Sequence, residues 1–193
     1  MTNSTPLLSA PNSPTSISHC HLATHGQFIP GNPLASFLLT GDGKQFTIAD
    51  IQNLNSLDHL DLIVLSACES ALGGDPNKLN GIEIASMSYE FLNRQAKSVL
   101  ASLWKVSDPS TALFMQHFYT HLANGETKAQ ALQKAQLDLL STPRPILMEQ
   151  LKRSLSEPTQ RSMVDIAKPT ASKTPDYSHP YYWAAFTLIG NNL

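Results

Sequence analysis

Cysteine is scarce: Cys20 and Cys68 are the only two in 193 residues. Two thiols make no disulfide framework of the kind that staples small secreted domains, so a reducing, cytoplasmic setting is expected. Charge of one sign is lacking too. Thirteen Lys and Arg against fifteen Asp and Glu leave a formal net charge of −2. Nothing in that balance steers the chain to nucleic acid or to an anionic membrane. No window approaches the ~18 apolar residues that a membrane span needs. The first residues, "MTNSTPLLSAPNSPTS", have neither a basic start nor a long apolar run, so no signal peptide is expected there. Several motifs are absent as well. There is no G-x-x-x-x-G-K-[ST] phosphate loop, which removes the strongest sign of a nucleotide-binding α/β domain, no H-E-x-x-H pair, and no G-x-S-x-G elbow of a serine hydrolase.

What is present fits a globular α/β domain. Apolar residues make up 41% of the chain and charged ones 15%, enough to build a core. Residues 1–16, rich in Ser, Thr, Pro and Asn, read as a flexible tail. "ISHCHLA" (17–23) reads as a strand. "PLASFLLTGDGK" holds a short apolar run and a Gly-Asp-Gly turn, and "TIADIQNLN" (47–55) a short helix capped by Thr47. "LIVLSA" (62–67) and "SVLASLW" (98–104) are unbroken apolar runs, the pattern of strands buried on both faces. Helices are expected over 79–94, with Ala85, Tyr89 and Leu92 at helical spacing, and after "VSDPS", where Ser107 or Asp108 can cap and Pro109 suits the first turn. Phe114, Phe118 and Leu122 recur along that second helix. A third spans 126–140, with Ala129, Leu132, Gln136 and Leu139 on one stripe. Residues 141–178 carry Pro143, Pro145, Pro158, Pro169 and Pro175 and read as a mobile insertion with one short helix near 146–155. "YYWAAFTLIG" (181–190) reads as the last strand. Strands alternating with helices imply a largely parallel sheet.

In such sheets reactive groups gather past the carboxyl ends of the strands. His25 follows one strand and Cys68 another, 43 residues on. Little of a free thiol is ionised at neutral pH, since its pKa is roughly 8.5. A neighbouring imidazole takes the proton, the thiolate attacks a carbonyl, and the same imidazole can protonate the leaving amine. Gly26, without a side chain, lets a backbone N–H come close to an oxyanion, and the N–H of Cys68 supplies a second donor. Each residue also has a plainer role. Cys68 can be a small buried residue at a strand end; His25 can be a surface histidine; Glu69 can be a polar strand-end residue or part of a pocket. Asp108 can cap its helix, line a pocket, or do both. Cys20, inside a strand, is expected to be core. "HCHLATH" offers His19, His21 and His25 as metal ligands, but no matching carboxylate or Cys/His cluster follows at ligand spacing.

Four blocks taken together, "HLATHG", "VLSACES", "SVLASLWKVSD" and "HPYYWAAFTLIG", resemble the recurring blocks of the CHAT domain, in that family's order across roughly residues 18–190. CHAT domains belong to the caspase-like cysteine peptidase clan and are mostly bacterial. The resemblance implies a caspase-hemoglobinase-like three-layer α/β fold and a His-Cys dyad at His25 and Cys68. It implies a cysteine endopeptidase that cleaves protein substrates without cofactor or metal, with Asp108 shaping the substrate pocket; Glu69, next to Cys68, is a second pocket candidate by its position alone. Family members commonly sit beside tetratricopeptide repeats, so a repeat-containing partner is expected. Only about sixteen residues precede the first block, whereas the family's domain usually starts well upstream of its histidine, so the front of the domain is expected to be missing. That departure keeps a rival open: a catalytically silent interaction module that retains the fold.

Overall fold

The computed structural model describes residues 18–27, 29, 32–66, 81–104, 106–154 and 176–193. Seven strands are present among them: β1 (Ser18–Leu22), β2 (Gly26–Gln27), β3 (Phe37–Leu39), β4 (Gln45–Thr47), β5 (Leu60–Leu65), β6 (Ser98–Ser102) and β7 (Phe186–Gly190). The α-helices are α1 (Ile48–Gln52), α2 (Gly81–Asn93), α3 (Asp108–Ala123), α4 (Lys128–Ser141) and α5 (Arg144–Ser154). The chain divides into two compact units: one holds the seven strands with α1 and α2, the other holds α3, α4, α5 and the segment up to Ala185.

The main sheet of the first unit has the order β1-β5-β6-β7, parallel except for β7. The expected mostly parallel α/β sheet, in keeping with a caspase-like fold, is therefore what the chain forms. The two apolar runs explain its centre. Ile63 and Leu65 of β5 and Val99 and Ala101 of β6 point to one face, where they meet Ile84, Met87 and Phe91 of α2 and Ile48 and Ile51 of α1. Leu62, Val64 and Leu100, with the opposite parity, are also fully buried. A strand covered on both faces has no need of alternation, which is why both sequences run apolar without a break. Cys20 packs against the same core as Ile63, and burial raises its thiol pKa, so it is a packing residue.

The cap of α1 is as expected: Thr47 accepts from the Asp50 N–H, and the Asp50 carboxylate accepts from the Thr47 N–H at 2.8 Å, a reciprocal capping box. The face that α2 buries differs from the spacing noted above. Ile84, Met87, Ser88 and Phe91 are inside, while Ala85 is exposed and Tyr89 is 61% exposed. A second, antiparallel sheet β2-β3-β4 was not foreseen; strands of two and three residues leave almost no periodic signal.

In the second unit, α3 starts after Ser107, the residue in cap position. Its hydroxyl makes no capping bond and lies 2.8 Å from Ser110 Oγ. Leu113, Phe114 and Phe118 are fully buried. The stripe that α4 buries is Lys128, Ala131, Ala135 and Leu139, not the Ala129, Leu132, Gln136 and Leu139 stripe expected; only Leu139 is common to both. Within 141–178, α5 is a packed helix that buries Leu147 and Leu151 with Leu113 and Tyr177, and residues 155–175 lie outside the described residues. So do residues 1–16, where the tail is expected. Of "YYWAAFTLIG", only the second half is strand. Pro180–Tyr182 form a short 3-10 turn, with the Tyr181 N–H donating to His179 Nδ1. Among the described residues no helix is long and apolar enough to cross a membrane.

Candidate active site

The registers of the main sheet define one rim. Leu22, the last residue of β1, pairs with Leu65, the last residue of β5, in parallel. The Ser66 N–H then donates to the Leu22 carbonyl at 3.2 Å, so the two chains leave the sheet side by side. His25 stands three residues past Leu22 (25 − 22) and Cys68 three past Leu65 (68 − 65). In sequence, then, His25 and Cys68 follow paired strand ends at equal offsets, and the carboxyl edge of such a sheet is where open α/β folds hold their chemistry.

His25 itself is exposed, and its backbone is fixed by the small sheet. The His25 carbonyl accepts from the Leu39 N–H at 2.7 Å, and the Thr24 hydroxyl donates to the Leu39 carbonyl at 2.5 Å. Gly26 follows, buried in β2 opposite Leu38. The β2–β3 pairing is thus the local reason that "THG" is held at the rim and does not trail into a loop. The hairpin that holds these two residues was not foreseen from the sequence.

Cys68 and Glu69 lie outside the described residues. Asp108 is exposed and opens α3 in the second unit. The cap position falls to Ser107, so the capping role considered for Asp108 is not the one it takes. Its carboxylate sits in the first turn, where the helix macrodipole favours a negative charge. Trp183 is half-buried, with its indole N–H donating to the Ser178 carbonyl at 3.0 Å. Among the described residues no three His, Cys, Asp or Glu side chains are grouped so as to hold a metal ion.

One polar contact at the rim was not foreseen. His21 Nε2 lies 2.7 Å from Ser66 Oγ. The ring is open to solvent on one side, yet buried enough on the other that its pKa is pushed below the ordinary histidine value. A neutral imidazole is therefore the form that meets the hydroxyl at neutral pH. The alternation in "SHCHL" puts His21 on the face opposite Cys20, and Ser66 shares parity with Val64. That parity was the available signal, but it speaks only once β1 and β5 are known to pair.

Comparison with known families agrees with the sequence blocks: the CHAT domain model matches residues 4–191. The chain belongs to the CHAT domain family. A curated relative, Tetratricopeptide repeat protein 28 of Mus musculus, is 27% identical over 161 residues; the match covers 83% of this CHAT chain but only 5% of the relative. The chain thus corresponds to a small part of that protein's length. The CHAT assignment makes this a caspase-like, peptidase-related domain, and the described structure holds His25 and Gly26 of its "HLATHG" block by the small sheet.

Proposed function

We propose that this CHAT domain is a cysteine endopeptidase in which Cys68 is the nucleophile and His25 the general base. The observation that supports the reading is the paired, in-register ending of β1 and β5, from which the sequence runs three residues on to His25 and three residues on to Cys68. In the proposed cycle His25 takes the Cys68 proton and the sulfur adds to a peptide carbonyl. The backbone N–H groups of Gly26 and Cys68 hold the oxyanion. The imidazolium then protonates the departing amine, and water, deprotonated by the same ring, hydrolyses the thioester and frees the thiol. Proton transfer by a positioned imidazole is worth about 10²–10⁴-fold. Glu69 and Asp108 are proposed as pocket residues for the substrate side chain, the substrate being a protein. A tetratricopeptide-repeat neighbour or partner is proposed from the relative's name, and a cytoplasmic location from the scarcity of cysteine.

A thiol-reactive peptide ketone tests it. The reading expects Cys68 to label much faster than a free thiol at pH 7, His25→Ala to slow labelling by about 10²-fold or more, and Cys68→Ala to abolish both labelling and peptide cleavage. Labelling at the free-thiol rate, with no cleavage lost in Cys68→Ala, overturns it. That outcome favours the second reading, a silent interaction module, which has in its support that the matched relative is a far longer protein of which this chain mirrors 5%.

A further inference from the structure

The carboxyl ends of β1 and β5 are joined twice. One bond is backbone, Ser66 N–H to the Leu22 carbonyl at 3.2 Å; the other is the 2.7 Å contact between His21 Nε2 and Ser66 Oγ. The first is an ordinary continuation of the parallel ladder and sets only the height at which the chains leave the sheet. It leaves the Ser66 side chain unrestrained. The second spans two side chains from segments 45 residues apart and ties the Ser66 side chain to β1. Its place along the chain matters. Ser66 is the first residue past β5 and stands two before Cys68; His21 lies inside β1 and stands four before His25.

We infer that His21 and Ser66 form a positioning pair that fixes the segment leading to Cys68 against the segment leading to His25. The inference rests on the peptidase reading and adds to it two residues that touch no reacting atom. Its chemistry is simple. The neutral ring offers Nε2 either as acceptor of the Ser66 O–H or, in the other tautomer, as donor to Ser66 Oγ. Both forms give the same geometry, so the bond persists whichever nitrogen carries the proton. A nucleophile displaced by about 1 Å from its base loses on the order of 10²-fold in rate, so a contact that restrains this spacing has a kinetic consequence larger than its share of stability.

The readout is the pH profile of Cys68 alkylation by iodoacetamide on the full chain, with thermal unfolding of each variant alongside. Ser66→Ala removes the hydroxyl and keeps the backbone bond. Its expected effect is a roughly tenfold slower alkylation at pH 7 and a profile moved toward the free-thiol midpoint of about 8.5. Ser66→Thr restores the hydroxyl and is expected to alkylate within about twofold of wild type. If Ser66→Ala does not fold, His21→Gln and His21→Leu carry the same comparison, because the glutamine amide can reach the hydroxyl where Nε2 did and the leucine cannot. His25→Ala separates the two levels of the argument. If it moves the profile while Ser66→Ala and His21→Leu match wild type, the positioning pair is refuted and the dyad stands. If His25→Ala leaves the profile unmoved, the dyad falls and the positioning pair with it.

Discussion

Gly190 closes β7 opposite Ser98, and replacing it with alanine should be among the most damaging single-methyl changes in the chain. Its φ is +99°, a region that L residues rarely adopt. A Cβ there would stand 2.6 Å from the Lys97 carbonyl oxygen, 2.9 Å from Leu92 Cδ2 and 3.1 Å from Ser98 Cα. The Leu92 methyl can move a little, but the carbonyl is held because it accepts the Asn191 N–H at 2.7 Å. The conformational part costs about 1–2 kcal/mol. Forcing the methyl in costs about 1–3 kcal/mol more, and losing the Asn191 bond about 1 kcal/mol. Gly43 is the internal control. Its φ is +79°, and nothing lies within 4 Å of the Cβ it would gain, so Gly43→Ala carries only the conformational part. The entropy that alanine removes from the unfolded chain is common to both variants and cancels in the difference. Urea unfolding followed at several probes should therefore rank Gly190→Ala below Gly43→Ala by roughly 2–4 kcal/mol. In a domain of this size that is a gap of about 4–16 °C in melting temperature. If the two variants unfold within about 0.5 kcal/mol of each other, the steric account of the β6–β7 closure is wrong.

Three further outcomes are expected. Thr127 and Gln130 form a reciprocal capping box at the start of α4, so Thr127→Ala should cost about 1 kcal/mol in chemical denaturation, and Thr127→Ser should recover most of it. Asp138 Oδ2 lies 2.9 Å from His117 Nδ1 and 2.8 Å from His121 Nε2, joining α4 to α3; Asp138→Ala should destabilise by about 1–2 kcal/mol at pH 6, reduced from a buried value because the carboxylate is a third exposed. Burial holds the His21 pKa below its ordinary value, so the folded chain binds fewer protons there than the unfolded one. The stability from His21 is thus fully present above the unfolded value of about 6.5 and is lost as pH falls below it. His21→Gln should flatten the wild-type decline in unfolding free energy between pH 7.5 and 5.5, and an unchanged slope would show that the ring is not shielded from water.

What could be read in advance depended on whether the signal was local. The central strands were legible because a strand buried on both faces needs only an apolar run, and "LIVL" and "SVLA" supply it. The start of α1 was legible because Thr47 and Asp50 cap it from three residues apart. The buried stripe of α4 was not. Its sequence carries two competing stripes, one with Leu132 and Leu139, the other with Ala131, Ala135 and Leu139. Periodicity ranks them by side-chain size, whereas a close α3–α4 crossing favours the alanines, whose small side chains let the axes approach. The same kind of rotation shows in α2, where Phe91 and Met87 are inside and Tyr89, at a position one step around the helix, is out.

The rim is the extreme case. His25 and Gly26 could be picked out as residues, but what holds them is a pairing with Leu38 and Leu39, and the His21–Ser66 contact spans 45 residues. Both depend on register. Because side chains alternate along a strand, sliding β1 by one residue against β5 would turn His21 to the face that Cys20 now occupies and bury an imidazole among Ile63, Leu65 and Val99. The hydrophobic penalty for that slip is what enforces the Leu22–Leu65 pairing, and the pairing in turn brings the imidazole to the hydroxyl. The core therefore selects the geometry of the rim, so changes at Cys20 or Ile63, which touch no polar group there, should disturb the rim before any substitution in the exposed "TGDGK" turn does.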